Sequence, residues 1–229
     1  MIEVRIDGPV ATVTLDRPHR RNALTPAALD DLEATVESLD TPVIHLRGAG
    51  PAFCAGADLA AVADLDGDEA HEFARDGQRV AEIIENTESV VVAGIDGAAR
   101  GGGVELALAC DIRLATPEAS FAETGVKLGL FGAWGGTHRL PAVVGMGNAL
   151  DLALSGRTVD AEEALRMGLV SRIVDDPAEA VAAIAESDPA ALTVVKERLR
   201  DDAPTDEQDR REAEAFADLI ERADLAEYR

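Results

Sequence analysis

The sequence predicts an α/β fold that ends in a helical region. Strand-like and helix-like patterns alternate up to about residue 176, whereas the chain after about residue 177 has only helical periodicity. The 229 residues are enough for one core with an appendage. We therefore expect an α/β core at residues 1–176 and a C-terminal helical region at residues 177–229.

The first elements have clear local signals. Residues 2–6 and 10–15 alternate apolar and polar around Asp7-Gly8, which predicts a β-hairpin. Thr25 can cap a helix whose first position is Pro26, and residues 43–47 predict a short buried strand. The acidic segment 64–77 predicts a mobile loop or a short helix, followed by a helix over 78–86.

The second half continues the alternation. Residues 89–95 and 111–115 predict strands, residues 138–155 a helix, and 169–174 a late strand. Asp160 and Glu163 predict a capping box for a helix that Gly168 closes. Helices are expected at 178–186, 189–201 and 205–222, and their apolar faces require a partner surface.

Charge and composition exclude several classes of protein. The net charge is −23, from 44 acidic and 21 basic residues, so nucleic acids and anionic membranes are not expected partners. Only Lys127 and Lys196 are lysines, and such dispersed acidity predicts a protein that works in concentrated salt. The sequence shows no membrane span or signal peptide, and Cys54 and Cys110 fit free thiols in a reducing cytoplasm. No cluster has metal-ligand spacing, so we expect no metal.

The segment ARGGGVELALACD, residues 99–111, places three glycines before a helix that carries Glu105 in its first turn. Backbone N–H groups at a helix N-terminus lack intrahelical partners and suit an oxygen that is becoming anionic. Close helix–strand packing explains the glycines equally well. Glu105 can be an acid–base group, or it can simply complement the helix dipole.

A second turn rich in small residues, PAFCAGADL at 51–59, resembles the first. Two such turns can each offer one N–H to the same oxygen, which would form an oxyanion hole from the main chain.

Five segments together resemble the enoyl-CoA hydratase/isomerase (crotonase) family in order and spacing. They are RPHRRNAL, AFCAGADL, AGIDGAARGGGVELALACDIRLAT, ASFAETGVKLGL with WGGTHRLPAVVG, and SGRTVDAEEALRMGLVSRIV. The resemblance implies a spiral of ββα units with a C-terminal helical trimerisation region, and a homotrimer or a dimer of trimers. It also implies an acyl-CoA thioester as substrate, with coenzyme A as part of that substrate and no permanently bound cofactor.

Carried over by position, the resemblance implies that Ala57 and Gly102 hold the thioester oxygen and that Glu105 is a catalytic glutamate. His19, Arg20 and Arg21 form the densest basic cluster, and Arg20 and Arg21 would contact the nucleotide part of coenzyme A. The other expected ligand-contacting residues are Ala55, Asp58, Leu59, Gly101 and Gly125, although Asp58 also suits a helix cap.

The pattern departs from the hydratases at one position. The second hydratase glutamate aligns with Gly125, which has no acid–base group. Glu123 would point to the same side if this segment were extended, and it is the candidate substitute. The leading interpretation is hydration of a 2-enoyl-CoA of the fatty acid degradation type. The alternatives are an enoyl-CoA isomerase, a decarboxylase of malonyl-type thioesters, and a non-catalytic acyl-CoA binder.

Overall fold

The computed structural model describes residues 1–223 and consists of two β-sheets surrounded by nine helices in that part of the chain. The strands are β1 Ile2–Asp7, β2 Val10–Leu15, β3 Val43–Gly48, β4 Ala52–Cys54, β5 Val90–Ile95, β6 Ala98–Arg100, β7 Ile112–Ala115, β8 Ser120–Ala122, β9 Val159–Asp160 and β10 Arg172–Ile173. The helices are α1 Pro26–Ser38, α2 Leu59–Val62, α3 Gly67–Asn86, α4 Gly102–Ala109, α5 Gly136–Ser155, α6 Ala161–Arg166, α7 Pro177–Ala185, α8 Pro189–Leu199 and α9 Thr205–Arg222.

The chain winds as repeated strand–strand–helix units, which confirms the predicted fold class. In each turn one strand joins a six-stranded sheet of order β1-β2-β3-β5-β7-β10, and the next joins a four-stranded sheet of order β4-β6-β8-β9. The sequences β3–β4–α2–α3, β5–β6–α4 and β7–β8–α5 are three such units. Because β4, β6 and β8 pair in parallel, the segments that follow them lie side by side.

The cores lie on both faces of the six-stranded sheet. The larger cluster packs α1, α3 and α4 with residues of both sheets, including Leu29, Phe53 and Ile84. A smaller cluster places Val181 of α7 against Val43, Val90, Val92 and Leu114. The boundary expected at residue 176 stays a prediction. The helix that follows it, α7, packs on the outer face of this sheet.

The C-terminal helix α8 is fixed to the core by buried charge. Lys196 Nζ donates to the Ser89 carbonyl at 2.8 Å and lies 3.0 Å from Asp111 Oδ2. Arg200 pairs with the other oxygen of Asp111 at 2.8 Å and with Glu85 at 2.7 Å. One of the two lysines therefore serves as a buried structural cation, with its charge compensated at close range.

Most predicted elements are present, and two predictions were wrong. Residues 64–77 are not a loop before a separate helix, because α3 begins at Gly67 behind a complete capping box of Asp66 and Glu69. At α6, Asp160 accepts the Glu163 N–H as expected, but the Glu163 carboxylate pairs with Arg157. No helix among residues 1–223 has the length and apolar character that crossing a bilayer requires.

Asn22 fixes the loop that precedes α1. It is completely buried, has a left-handed φ of 58°, and donates through Nδ2 to the carbonyls of Ala49, Ala52 and Phe53 at 2.9, 2.7 and 3.2 Å. Its Oδ1 accepts the Arg17 N–H at 2.9 Å. This one amide therefore satisfies backbone groups of residue 17, of residue 49 and of strand β4, and ties these segments together.

We expect Asn22→Ala to lower the free energy of unfolding by about 2–4 kcal/mol, because it leaves several buried polar groups unpaired and puts alanine in a left-handed conformation. Chemical denaturation measures the change. The control is Asn148→Ala on α5, where the exposed amide donates only to Val144 of its own helix, and about 0.5 kcal/mol is expected. An equal decrease in the free energy of unfolding in both variants would show that the hydrogen bonds of Asn22 add no more stability than the single bond of Asn148.

Candidate active site

The three consecutive glycines each have a different structural reason. Gly101 has φ +47° and ψ −120°, a conformation that L-residues avoid. A Cβ added to Gly102 would lie 2.3 Å from the Trp134 ring, and one added to Gly103 would lie 2.2 Å from the Cys54 carbonyl oxygen. Close packing, the alternative to ligand binding, is therefore a real constraint at Gly102 and Gly103.

The same close packing brings the two predicted turns together. A Cβ on Gly56, which has φ +81°, would lie 2.8 Å from the Gly102 nitrogen and 2.7 Å from the Arg100 carbonyl oxygen. Gly102 is the first residue of α4, where an N–H has no intrahelical acceptor. The turn that carries Ala57 therefore lies directly against the N-terminus of α4.

The Ala57 N–H is also left free. Ala57 bridges to Leu24, but the bonds of this bridge run from Leu24 N to Gly56 O and from Asp58 N to Leu24 O, both at 2.8 Å. Among residues 1–223 the Ala57 N–H has no hydrogen-bond acceptor. Ala57 and Gly102 line one cavity of about 230 Å³, together with Ala55, Leu59, Gly101, Glu105 and Gly125 among others.

Asp58 does not line the first cavity, and contact of this residue with a ligand stays a prediction. Its side chain is buried, caps α2 by accepting the Ala60 N–H at 3.0 Å, and pairs with Arg17. The Arg17 hydrogen bond holds the pKa of Asp58 below its usual value. The helix-cap interpretation is confirmed, and the ion pair adds a second attachment of this turn to residue 17.

Glu105 lies in the first turn of α4 and is almost completely buried, with 2% exposure. Its Oε1 accepts the N–H groups of Trp134 and Gly136 at 2.8 and 2.7 Å. Gly136 begins α5, so Glu105 caps the N-terminus of a neighbouring helix as well as lying near its own. Burial raises the pKa of Glu105, while the two N–H groups and Arg139 act in the opposite direction.

Glycines leave the space that the Glu105 carboxyl occupies. A Cβ on Gly132 would lie 2.8 Å from its carboxyl carbon, and one on Gly136 would lie 2.7 Å from Oε1. The sequence analysis did not predict that Gly132 and Gly136 lie next to the Glu105 carboxyl. The run from Gly132 to Gly136 is the signal for them, since a glycine-rich turn before a helix can place N–H groups around a carboxylate.

Trp134 forms one wall of the cavity. Its indole packs edge-to-face on Phe73, with ring centroids 5.7 Å apart, and lies between Gly77 of α3 and Gly102 of α4. A Cβ on Gly77 would lie 2.1 Å from the ring. The ring therefore fixes the distance between α3 and α4, and it covers the first turn of α4.

Glu123 and Gly125 border a second cavity of about 250 Å³, whose other walls are mostly apolar residues of α5. The segment is not extended, because β8 ends at Ala122 and residues 124–128 form a 3₁₀ helix. The premise for pairing positions 123 and 125 was therefore wrong, although both still line this cavity. Burial, and then the charge of Glu105, raise the pKa of Glu123 to about 8.

Arg20 and Arg21 are exposed, and within residues 1–223 neither forms an ion pair, including with Asp16. Burial lowers the pKa of Arg100, and the positive charge of the nearby Arg21 lowers it further. Neither Arg20 nor Arg21 lines the first cavity, so the basic cluster lies outside it.

The cysteines and metal-type groups add no chemistry. Cys54 and Cys110 are free and buried, and burial raises the pKa of each thiol to about 12. Cys54 donates to the Asn22 carbonyl at 3.3 Å, which is a structural contact. The described residues contain no group of three or more histidine, cysteine or carboxylate side chains placed to hold a metal ion.

Comparisons with known proteins identify the family of the chain. The family model described as Enoyl-CoA hydratase/isomerase matches residues 5–227. The chain is 37% identical over 174 residues to the short-chain-enoyl-CoA hydratase of Clostridium acetobutylicum, a match that covers 74% of this chain and 67% of that protein. It is 40% identical over 170 residues to the crotonyl-CoA hydratase of Syntrophomonas wolfei, covering 72% and 65%.

Among solved structures, the enoyl-CoA hydratase of Bacillus anthracis is similar with a TM-score of 0.90 at 33% identity, and the match covers 96% of this chain and 91% of that one. The match to the Syntrophomonas relative spans slightly less than two thirds of that protein's length. With almost the whole chain matched by the family model and the fold shared along its length, the protein belongs to the enoyl-CoA hydratase/isomerase family.

Proposed function

We propose that this protein adds water to the double bond of a 2-enoyl-CoA thioester. The observation that carries the proposal is the pair of unbonded N–H groups, from Ala57 and Gly102, in one cavity with the Glu105 carboxyl. The similarity to a short-chain-enoyl-CoA and a crotonyl-CoA hydratase supports a short acyl chain as substrate.

The two N–H groups would act on the charge that develops during the reaction. When water bonds to the β-carbon, electron density moves to the thioester oxygen and forms an enolate. Two fixed donors stabilise that oxygen without reorganisation, and each is typically worth about 2.7–4 kcal/mol in the barrier. At the end of α4, the partial positive charge of the helix N-terminus adds to this effect.

Glu105 would take the proton from the attacking water. Its Oε1 is held by two N–H groups, which favour the carboxylate, and its second oxygen makes no hydrogen bond within the described chain. A carboxylate fixed in this way can orient water and accept its proton.

The basic cluster supports recognition of the coenzyme A nucleotide. Exposed arginines without carboxylate partners are available for phosphate, which they bind through paired N–H donors. In a chain of net charge −23, Arg20 and Arg21 beside Arg100 give one locally positive surface near the cavity.

Assembly into a trimer or a dimer of trimers and function in concentrated salt complete the proposal. Large apolar side chains are exposed on α5, α8 and α9, among them Met146, Leu154, Leu199 and Phe216. Such surfaces usually lie in protein–protein contacts. The dispersed acidic surface supports the adaptation to salt, because screening reduces its self-repulsion.

We expect the wild-type protein in high salt to convert crotonyl-CoA into 3-hydroxybutyryl-CoA, and Glu105→Gln to lower kcat by about 10²–10⁴-fold because the water loses its base. Chromatography of the thioesters measures both. Glu118→Gln, at an exposed glutamate, is the matched control and should stay near wild type. Turnover of only a 3-enoyl-CoA or of methylmalonyl-CoA would replace the proposal by isomerisation or decarboxylation, and binding without turnover would make the protein a binder.

We expect Arg20→Ala to raise KM for crotonyl-CoA about three- to tenfold, since an exposed phosphate contact is lost, with little change in kcat. The same variant should leave KM unchanged for the crotonyl thioester of N-acetylcysteamine, which lacks the nucleotide. Arg5→Ala, at a largely exposed arginine of β1, is the control. An equal rise in KM for both thioesters would contradict a nucleotide contact.

Lowering KCl from about 2 M to about 0.1 M should lower the melting temperature, because the Debye length grows from about 2–3 Å to about 10 Å and self-repulsion increases. At high KCl the protein should sediment with the mass of three or six chains. A melting temperature that rises at low salt would contradict the adaptation, and a monomer at high salt would contradict the assembly.

A further inference from the structure

Glu123 is a buried carboxyl that the proposed reaction has not yet used. Only 8% of the residue is exposed, and its Oε1 has no hydrogen-bond partner among the described residues. Burying such a group without a partner is costly. The neighbouring groups do not compensate it: α5 lines this side of the second cavity with Thr137, Leu140 and Pro141, none of which ionises.

Glu123 lies where the two cavities meet. The first cavity contains Ala57, Gly102 and Glu105, the second contains Glu123, and Gly125, Phe131 and Gly132 line both. Gly132 and Gly136 leave room for the Glu105 carboxyl, and Gly136 also lines the second cavity. The charge of Glu105 acts on Glu123, so the two carboxyls lie near each other at this junction.

The space for a side chain at Gly125 is tight. A Cβ on Gly125 would lie 3.1 Å from Phe131 Cα and 3.2 Å from the Leu130 carbonyl oxygen. The backbone of residues 130–131 thus lies against the position where hydratases place their second glutamate, and a side chain there would require this backbone to shift. Glu123 is then the remaining carboxyl at the junction.

We propose that Glu123 is the second acid–base residue of this site, and that the reacting carbons of the substrate lie at the junction of the two cavities. This inference rests on the proposed hydration. As the water oxygen bonds to the β-carbon, its proton goes to Glu105 and the electron pair of the double bond moves toward the thioester oxygen. Glu123 then gives its proton to the α-carbon, and the proton on Glu105 returns to Glu123 through solvent, so that one water is added.

The surroundings divide the two roles. Two backbone N–H groups favour the carboxylate form of Glu105, whereas Glu123 has no such donor and a pKa of about 8. Glu105, with donors to its carboxylate form, therefore suits the role of proton acceptor, and Glu123, which has none, suits the role of proton donor, which is the division that hydration requires. Two other charged groups lie nearby: Glu105 on α4, and Lys127, whose methylene packs beside Gly156 next to the Glu123 carbonyl.

The test compares Glu123→Gln, Glu105→Gln and the control Glu118→Gln in the full-length protein. With crotonyl-CoA we expect Glu123→Gln to lower kcat at least about 100-fold with KM nearly unchanged. The second assay is exchange of the α-protons of butyryl-CoA in D₂O, followed by mass spectrometry. Glu123→Gln should abolish this exchange, whereas Glu105→Gln should retain part of it, because only Glu123 serves the α-carbon.

The pH profile separates chemistry from structure. Glu123 acts in its protonated form, so wild-type kcat/KM should fall as pH rises through about 8, and Glu123→Gln should lack this decline. Glu123→Asp, which keeps an acid but withdraws it by one methylene, should recover part of the activity lost in the glutamine variant.

Folding gives a readout without activity. Because the folded-state pKa of Glu123 is raised, the unfolded chain ionises first, and this carboxyl lowers stability increasingly as pH rises from about 4.5 to about 8. Glu123→Gln should therefore raise the melting temperature at pH 8 relative to wild type, with a smaller effect at pH 5. The same property predicts that the glutamine variant folds, since it replaces a neutral carboxyl by a neutral amide of the same shape.

The outcomes distinguish the two proposals. If the wild type hydrates crotonyl-CoA and Glu123→Gln matches it in rate, exchange and pH profile, this inference is wrong and the proposed function stands. If the wild type fails to hydrate but exchanges α-protons in a Glu123-dependent manner, the proposed function is wrong and the assignment of Glu123 to the α-carbon is supported. Absence of both activities overturns both.

Discussion

The site depends on one close backbone contact, where the turn at residues 54–58 meets the N-terminus of α4. A side chain at Gly56, Gly102 or Gly103 would collide with backbone or with Trp134 at 2.2–2.8 Å. The contact is made possible by glycine and maintained from behind, by the Asn22 amide and by the bridge between Leu24 and Ala57. Because these attachments use other backbone groups, the N–H groups of Ala57 and Gly102 remain free within a rigid frame.

The same geometry determines how the carboxylates behave. Two helix N-termini converge on the cavity: that of α4 supplies the Gly102 N–H, and that of α5 supplies the Gly136 N–H to Glu105. Glu105 thus lies near the positive ends of two helix dipoles, that of α4 and that of α5. A side chain that caps one helix while lying in the first turn of another has little rotational freedom, which suits a group that must hold water at one point.

The fold was predictable where local signals and the family motifs agreed. Asp7-Gly8, Thr25-Pro26 and Gly168 are local stop and start signals, and the structure uses each of them. The start of α3 was missed because the acidic residues around Asp66 suggested a solvated loop. The spacing of Asp66 and Glu69 is that of a capping box and indicated the helix start. Distribution of charge is a weaker guide to a helix start than the spacing of cap residues.

Partners contributed by distant segments were beyond sequence reasoning. Nothing local to Glu105 indicates that its oxygen accepts N–H groups from residues 134 and 136, since the contact exists only after α4 and α5 pack. Likewise the pairing of Asp58 with Arg17 joins residues 41 positions apart. Motif spacing places residues on elements, but it does not say which side chains occupy the space between elements.

The environment of Glu123 bears on the proposal that it serves a site with glycine at position 125. A carboxyl without donors in an apolar cavity lowers the stability of the fold at neutral pH, since it must either stay protonated or be buried as an anion. Among residues 1–223 the only other buried acidic residues are Asp58 and Glu105, and both accept hydrogen bonds. Replacing such a group by an apolar residue would stabilise the core. Buried ionisable groups without partners are therefore generally found at functional sites. The position of Glu123 near Glu105, beside the cavity that Gly125 and residues 131–132 share with the first one, supports the proposed catalytic use.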